Sequence, residues 1–141
     1  MLYRTLIRPV LLYGAEAWTL NASTEQALLT FERKVLRRIY GPICERGEWR
    51  RRYNHELMQL YPDVNIVSIV KRRRLHWLGH VERMDSSAPA KRIYDGTPSG
   101  RRRQGRPKSR WKDQARTDIG LPNWKVLAQN RTQWRQRIDQ V

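Results

Sequence analysis

The sequence predicts an all-α protein: a small bundle of about four helices, a basic Pro/Gly-rich linker, then two short C-terminal helices. Three observations predict it. Apolar residues recur at helical spacing through most of the first 84 positions, helix-start and helix-stop residues bracket those stretches, and residues 85–110 lose the periodicity. The expected division is a helical subdomain over 1–84, a flexible basic linker over 85–110 and a helical segment over 111–141.

In the first element, Leu6, Ile7, Val10, Leu11 and Tyr13 lie close to helical spacing, which predicts an apolar-faced helix over residues 2–18 with kink points at Pro9 and Gly14. The second is clearer. In "NASTEQALLTFERKVLRRIYGP", Ser23 with Gln26 reads as a capping box, Leu28, Phe31, Val35 and Ile39 form a stripe, and Gly41-Pro42 stops the helix. Arg33, Lys34, Arg37 and Arg38 fall off that stripe, on a basic outer face that complements the negative end of the helix dipole. "GEWRRRYNHELMQLYP" predicts a third helix over 48–60, closed by Pro62.

The fourth, in "NIVSIVKRRRLHWLGHVERM", puts Ile66, Ile69, Val70, Trp77, Val81 and Met84 mostly on one face. Lys71, Arg72, Arg73 and Arg74 interrupt it. Four consecutive residues span more than one helical turn, so at least one of these cations must lie near packed surface, snorkelling or paired with a carboxylate such as Glu56. Beyond the linker come a helix over 110–119, punctuation at Gly120 and Pro122, and a last helix carrying Trp124, Leu127, Ala128, Trp134 and Ile138. Helices this short need packing partners to form.

Charge points to the partner. Twenty-nine Lys and Arg against thirteen Asp and Glu give +16, a field that gathers polyanions, and six Trp with six Tyr supply ring faces for unpaired bases. Nucleic acid, whether RNA, DNA or a hybrid, is therefore favoured over an acidic protein or an anionic membrane. The single cysteine, Cys44, cannot form an intrachain disulfide, which suits a reducing compartment, nucleus or cytoplasm. The N-terminal stretch, broken by Arg4 and Arg8, reads neither as a signal peptide nor as a spanning helix.

The stretch "RRRQGRPKSRW" holds six cations in eleven positions, and from Lys91 to Arg116 ten basic residues face two acidic ones, half of the chain's excess charge. Pro107 biases Arg106 away from helix, and Gly105 leaves close approach open. General phosphate contact by Arg101, Arg102, Arg103, Arg106, Lys108 and Arg110 is the favoured reading. Two others stay open. Gly105, Arg106 and Pro107 resemble the core of an AT-hook for A·T-rich minor grooves, with Gln104 where that motif has arginine, and the run also reads as a nuclear-import signal or a solvated linker.

Chemistry finds little to stand on. His76 and His80 share the i, i+4 spacing of a zinc face, but Cys44 and His55, which would complete it, stand alone on separate segments, so packing or phosphate contact is the better reading and no metal or cofactor is expected. The six aspartates are scattered, and no Gly-x-Ser-x-Gly, phosphate-cradling Gly-rich loop or His-Glu-x-x-His occurs. Binding without catalysis is the expectation.

Taken together, "YRTLIRPVLLYGAEAWTL", "FERKVLRRIYGP", "RRRLHWLGHVERM", "GRPKSRWKDQ" and "NRTQWRQRI" resemble, in order, the C-terminal region of non-LTR (LINE-type) retrotransposon reverse transcriptases, the part that follows the palm. The resemblance implies that residues 1 to 60 correspond to the thumb and its continuation, which grips the template-primer duplex. The rest would be the basic extension that holds template RNA or target DNA, with the remainder of the reverse transcriptase as a further partner. The parent family is an RNA-directed DNA polymerase, but its Asp-Asp motif and upstream metal-binding aspartate have no counterpart here, nor does its Cys-rich knuckle. His76 stands where the family's string usually has arginine. The alternatives are a domesticated structural or interaction protein, or an AT-hook-like nuclear DNA-binding protein.

Overall fold

Pro9 shapes the first element. Lacking an N–H, it cannot continue a regular ladder, and in the computed structural model, which describes residues 2–97, 105 and 110–141, the preceding turn Tyr3–Ile7 widens to π geometry before running into helix α1, Arg8–Leu11. The helix is shorter than expected. Gly14 takes a left-handed φ of 68° and a 3₁₀ turn, Ala15–Ala17, follows. Its inward face is also not the expected one: Tyr3, Arg8 and Leu12 are buried, whereas Leu6 and Val10 face solvent and Tyr13 is 89% exposed.

Helix α2, Ala22–Tyr40, starts one turn-residue pair earlier than the Ser23/Gln26 reading. Asn21 is the cap: its Oδ1 accepts from the Thr24 N–H at 2.9 Å, and its own N–H donates to Thr24 Oγ1 at 2.8 Å. Gly41 ends the helix at φ 68°, as the Gly-Pro signal indicated. The buried positions are Glu32 and Leu36, and the expected stripe residues Phe31 and Ile39 are exposed.

A paired charge explains both inversions. Arg8 and Glu32, each 6% exposed, meet at 3.1 Å, and Arg8 also donates to Asp63 at 2.9 Å and to the Val64 carbonyl at 3.0 Å. Glu32 further accepts from the Tyr3 hydroxyl at 3.0 Å and from the Ile66 N–H at 3.1 Å, so its desolvation is offset at every lone-pair direction it uses. Around this group Tyr3, Leu36, Leu57 and Tyr61 form a core, with Tyr3 and Tyr61 edge-to-face at 5.8 Å and the Arg8 guanidinium over both rings. Burial pushes the Tyr61 hydroxyl up to about 12. Asp63 goes the other way: burial raises it, but hydrogen bonds from Tyr61 and the Val64 N–H, with the Arg8 charge, bring it below the usual carboxylate value.

The predicted third helix is half hairpin. Strands β1, Ile43–Glu45, and β2, Glu48–Arg50, pair antiparallel with Cys44 opposite Trp49, and the turn between them has φ 55° at Arg46 and 85° at Gly47. Positive φ at both central residues gives the turn whose twist matches the flanking strands. Only after it does helix α3, Asn54–Leu60, begin, with Glu56 Oε2 accepting from the Tyr53 N–H at 2.6 Å.

Helix α4, Ile66–Glu82, forms where expected, its N-terminus capped by Asn65 Oδ1 on the Ser68 N–H at 3.0 Å, but its buried apolar face is Ile66, Val67, Val70, Leu75, Leu78 and Val81, and Trp77, expected on the packed face, is exposed. The residues up to Tyr13 and Leu20–Val70 make one compact unit; Gly14–Thr19 and Lys71–Val141 make a second. In the second, helix α5, Pro89–Asp95, occupies part of the stretch expected to be irregular, with Pro89 in its first turn and Lys91 bonded to Glu82 at 3.0 Å. Helix α6, Trp111–Ile119, matches the expected segment. The last predicted helix is two, α7, Trp124–Gln129, and α8, Arg131–Asp139, because Asn130 turns extended and caps α8 through its side chain.

The core of this unit joins Leu75 and Leu78 to Ala115, Ile119, Trp124, Ala128, Trp134 and Ile138. Arg74, 1% exposed, is the cation driven inward: it pairs with Asp118 at 2.6 Å and donates to Gln114 Oε1 at 2.8 Å and the Trp18 carbonyl at 3.0 Å. Its carboxylate is Asp118 and not Glu56, which is taken by Arg50. Among the described residues the protein is predominantly helical, with one two-stranded sheet, and no helix is long and apolar enough to cross a membrane.

Candidate nucleic-acid interface

The last two turns of α2 carry Lys34, Arg37 and Arg38 outward, Gly41 ends the helix, and the β1–β2 hairpin returns the chain alongside. Between them lies an open cleft of about 410 Å³ lined by Lys34, Arg37, Arg38, Gly41, Pro42, Trp49, Arg50, Arg51 and Arg52. Six of those nine side chains are cations and none is an anion. Arg50 is neutralised, bonded to Glu45 at 2.6 Å and bidentate to Glu56. The others are not. Arg37 donates from Nε to the Arg52 carbonyl at 2.9 Å and from Nη2 to Asn54 Oδ1 at 2.6 Å, and Arg52 donates to the Gly41 carbonyl at 3.1 Å.

Neutral acceptors fix the direction of a guanidinium without cancelling its charge. The cleft is thus oriented and still positive. Partial burial, with the nearby Arg51 and Arg33 charges, pushes the Arg37 guanidinium below its ordinary value. Like charges held together this way are relieved by an anion, which is the electrostatic character of a phosphate site. Trp49, 73% exposed, presents its ring to the same cleft.

The remaining expected residues scatter. Arg33 is half-buried and donates to Thr30 Oγ1 at 3.3 Å. In the second unit, Lys71 and Arg72 are half-buried, with Arg72 donating to the Asp139 carbonyl at 2.9 Å, and Arg73 is exposed. Arg74 is not on the surface at all, since Asp118 and Gln114 use its guanidinium inside the unit. Gly105, at φ 121°, and Arg110, which precedes α6, are exposed. Arg101, Arg102, Arg103, Arg106, Pro107 and Lys108 lie outside the described residues.

The histidines have local roles. His80 lies against the Trp77 ring at 5.3 Å, His55 stacks on Tyr53, and desolvation with the Arg135 charge pushes the His76 imidazole down. No group of three or more His, Cys, Asp or Glu is placed to hold a metal ion among the described residues. Trp49, Arg51 and Arg52 are the cleft residues that the helical reading of 48–60 concealed. The signal for them was Arg46-Gly47 between "ICE" and "EWR", a two-residue turn between short β-prone segments.

No family model matches the chain, and no solved structure matches it. It is similar to an uncharacterized transposon-derived protein of Caenorhabditis elegans, 25% identical over 142 residues that cover 94% of this chain and 51% of that protein. The chain therefore spans about half the length of that relative. The likeness supports a relationship to mobile elements.

Proposed function

We propose that this chain is a nucleic-acid-binding part of a mobile-element protein of the LINE reverse-transcriptase type, holding RNA, DNA or their hybrid chiefly through phosphates. The observation that carries the reading is the α2–hairpin cleft: six lining cations, no lining anion, and guanidiniums oriented by neutral carbonyl and amide oxygens. The likeness to a transposon-derived protein supports a mobile-element origin, and the LINE type rests on the order of the sequence blocks alone. Binding is the proposed activity of this part, and polymerisation belongs to the palm of such enzymes.

The test is the salt dependence of Kd for a short RNA·DNA hybrid between about 50 and 200 mM salt. If roughly five cations neutralise phosphates, the log–log slope is near −4 to −5 and affinity falls by between about two and three decades. A nearly flat dependence, or a purified protein free of nucleic acid that retards no labelled RNA or DNA, rejects the reading in favour of a structural or interaction role.

A further inference from the structure

We propose that the α2–hairpin cleft takes an unpaired nucleotide, with its base on the Trp49 ring and its phosphate among Arg37, Arg38 and Arg51. This rests on the nucleic-acid reading above and narrows it, from a surface that follows duplex backbone to one that engages a single strand, an overhang or a strand end. Trp49 motivates it. The side chain is 73% exposed on a hairpin whose cross-strand partner is the small Cys44, and no aromatic ring packs against it among the described residues. A large ring left open to water is a binding surface in waiting when charges around it match a ligand.

The match is to a nucleotide. The cleft, about 410 Å³, lies in the range of small-ligand sites, and its lining combines the ring with six cations. Arg38 and Arg51 make no ion pair among the described residues, and Arg37 is held by neutral oxygens, so the positive charge is uncommitted. Bases inside a duplex have both faces covered by their neighbours, so only an unpaired or terminal base offers a face to Trp49. No amide or carboxylate side chain is among the described residues lining the cleft to read a base edge. Recognition therefore runs through stacking and phosphate contact, which tolerates any base.

The backbone under the ring is fixed. Arg50, next to Trp49, bonds to Glu45 in β1 and to Glu56 in α3, which braces the hairpin against the following helix. Lys34 also borders a second shallow cleft with Thr30 and the exposed Phe31, so a strand leaving the first site along α2 passes the shared Lys34 and meets a second ring.

The experiment compares a fluorescently labelled 12-nucleotide single strand with the blunt duplex of the same sequence, measured by anisotropy with the full chain. Trp49→Ala should weaken the single strand about tenfold, the scale of one lost base stack, and change the duplex less than about twofold. Trp49→Phe should keep most of the affinity, whereas Trp49→Leu, apolar but without a π face, should behave as alanine. The Arg38→Ala, Arg51→Ala double variant should weaken the strand and lower its salt slope by about two. Circular dichroism and the thermal midpoint report folding, and the Phe-against-Leu contrast holds the question open to measurement if alanine perturbs the hairpin. Single-strand binding that is unchanged in the Trp49 variants but weakened by the arginine pair overturns this inference and leaves the broader reading standing. Absence of binding to either nucleic acid by the unmodified chain rejects the broader reading itself. Polyglutamate competing as well as the strand, in a Trp49-dependent way, also overturns the nucleotide assignment.

Discussion

Glu56 joins the hairpin to the helix behind it with one carboxylate. Its oxygens accept from Arg50 at 2.7 and 3.0 Å, and Oε2 also accepts from the Tyr53 N–H at 2.6 Å. Those bonds, that from Arg50 foremost, hold its carboxyl down from 4.5 to about 2. A folded-state value below the unfolded one means that the contribution is fully present above about pH 4.5 and is lost as pH falls through about 2. The expected outcome is that Glu56→Gln lowers the thermal midpoint at pH 6 and that its gap from the unmodified protein narrows steadily toward pH 2. Equal gaps at pH 6, 4 and 2 contradict this role. Arg8 shows the other way a residue can act: buried with Glu32 and Asp63, it organises a core and has no solvent-facing part to play.

Between elements, α4 and α8 of the second unit meet closely at Gly79. The Trp134 indole lies against the glycine and donates from Nε1 to the Leu75 carbonyl at 3.1 Å, four residues earlier on α4. A Cβ built on Gly79 would stand 2.1 Å from that nitrogen. In an open helix, Gly→Ala stabilises by about 1 kcal/mol. Here the sign reverses. Moving a buried indole costs about 1–3 kcal/mol in overpacking and strands its N–H, so Gly79→Ala should destabilise the protein by about 2 kcal/mol net. Chemical denaturation measures it, and pairing the change with Trp134→Phe should recover part of the loss through non-additivity. A neutral or stabilising Gly79→Ala would falsify the packing account.

For the whole molecule the question is how the +16 charge divides between the cleft and the basic stretch. Residues 91–116 hold half of the net excess, and the cleft holds a further set on folded elements. Replacing Arg101, Arg102, Arg103 and Arg106 by alanine should weaken duplexes and single strands alike, lower the salt slope by up to about four, and leave the helical content unchanged. Loss of a preference for A·T-rich DNA on Arg106→Ala alone, with RNA spared, would instead assign the stretch to the minor groove. Unaltered affinity in the quadruple variant places the binding on α2 and the hairpin.

Much of the fold was legible in the residues alone. The α class, the stop at Gly41-Pro42, the start of α6 and the polyanion-seeking charge follow from local spacing, turn chemistry and composition, none of which needs a distant partner. What tertiary structure decided is which face each helix turns inward and which cations are left to bind. Periodicity requires one of Lys71 to Arg74 to turn inward but names neither the residue nor its partner, and it gives no sign of Arg8; in the fold Arg8 meets Glu32 across 24 positions, and Arg74 meets Asp118. Each such pair meets its desolvation cost only when the chain is folded, and each then displaces the expected apolar stripe. The cleft arises the same way. Its Arg37 is oriented by a carbonyl 15 residues on, and its ring comes from a hairpin that helical reading hid. Local sequence determines which elements form and how much charge they carry; long-range pairing determines which of those charges remain available, because only the fold can supply a buried cation with its carboxylate.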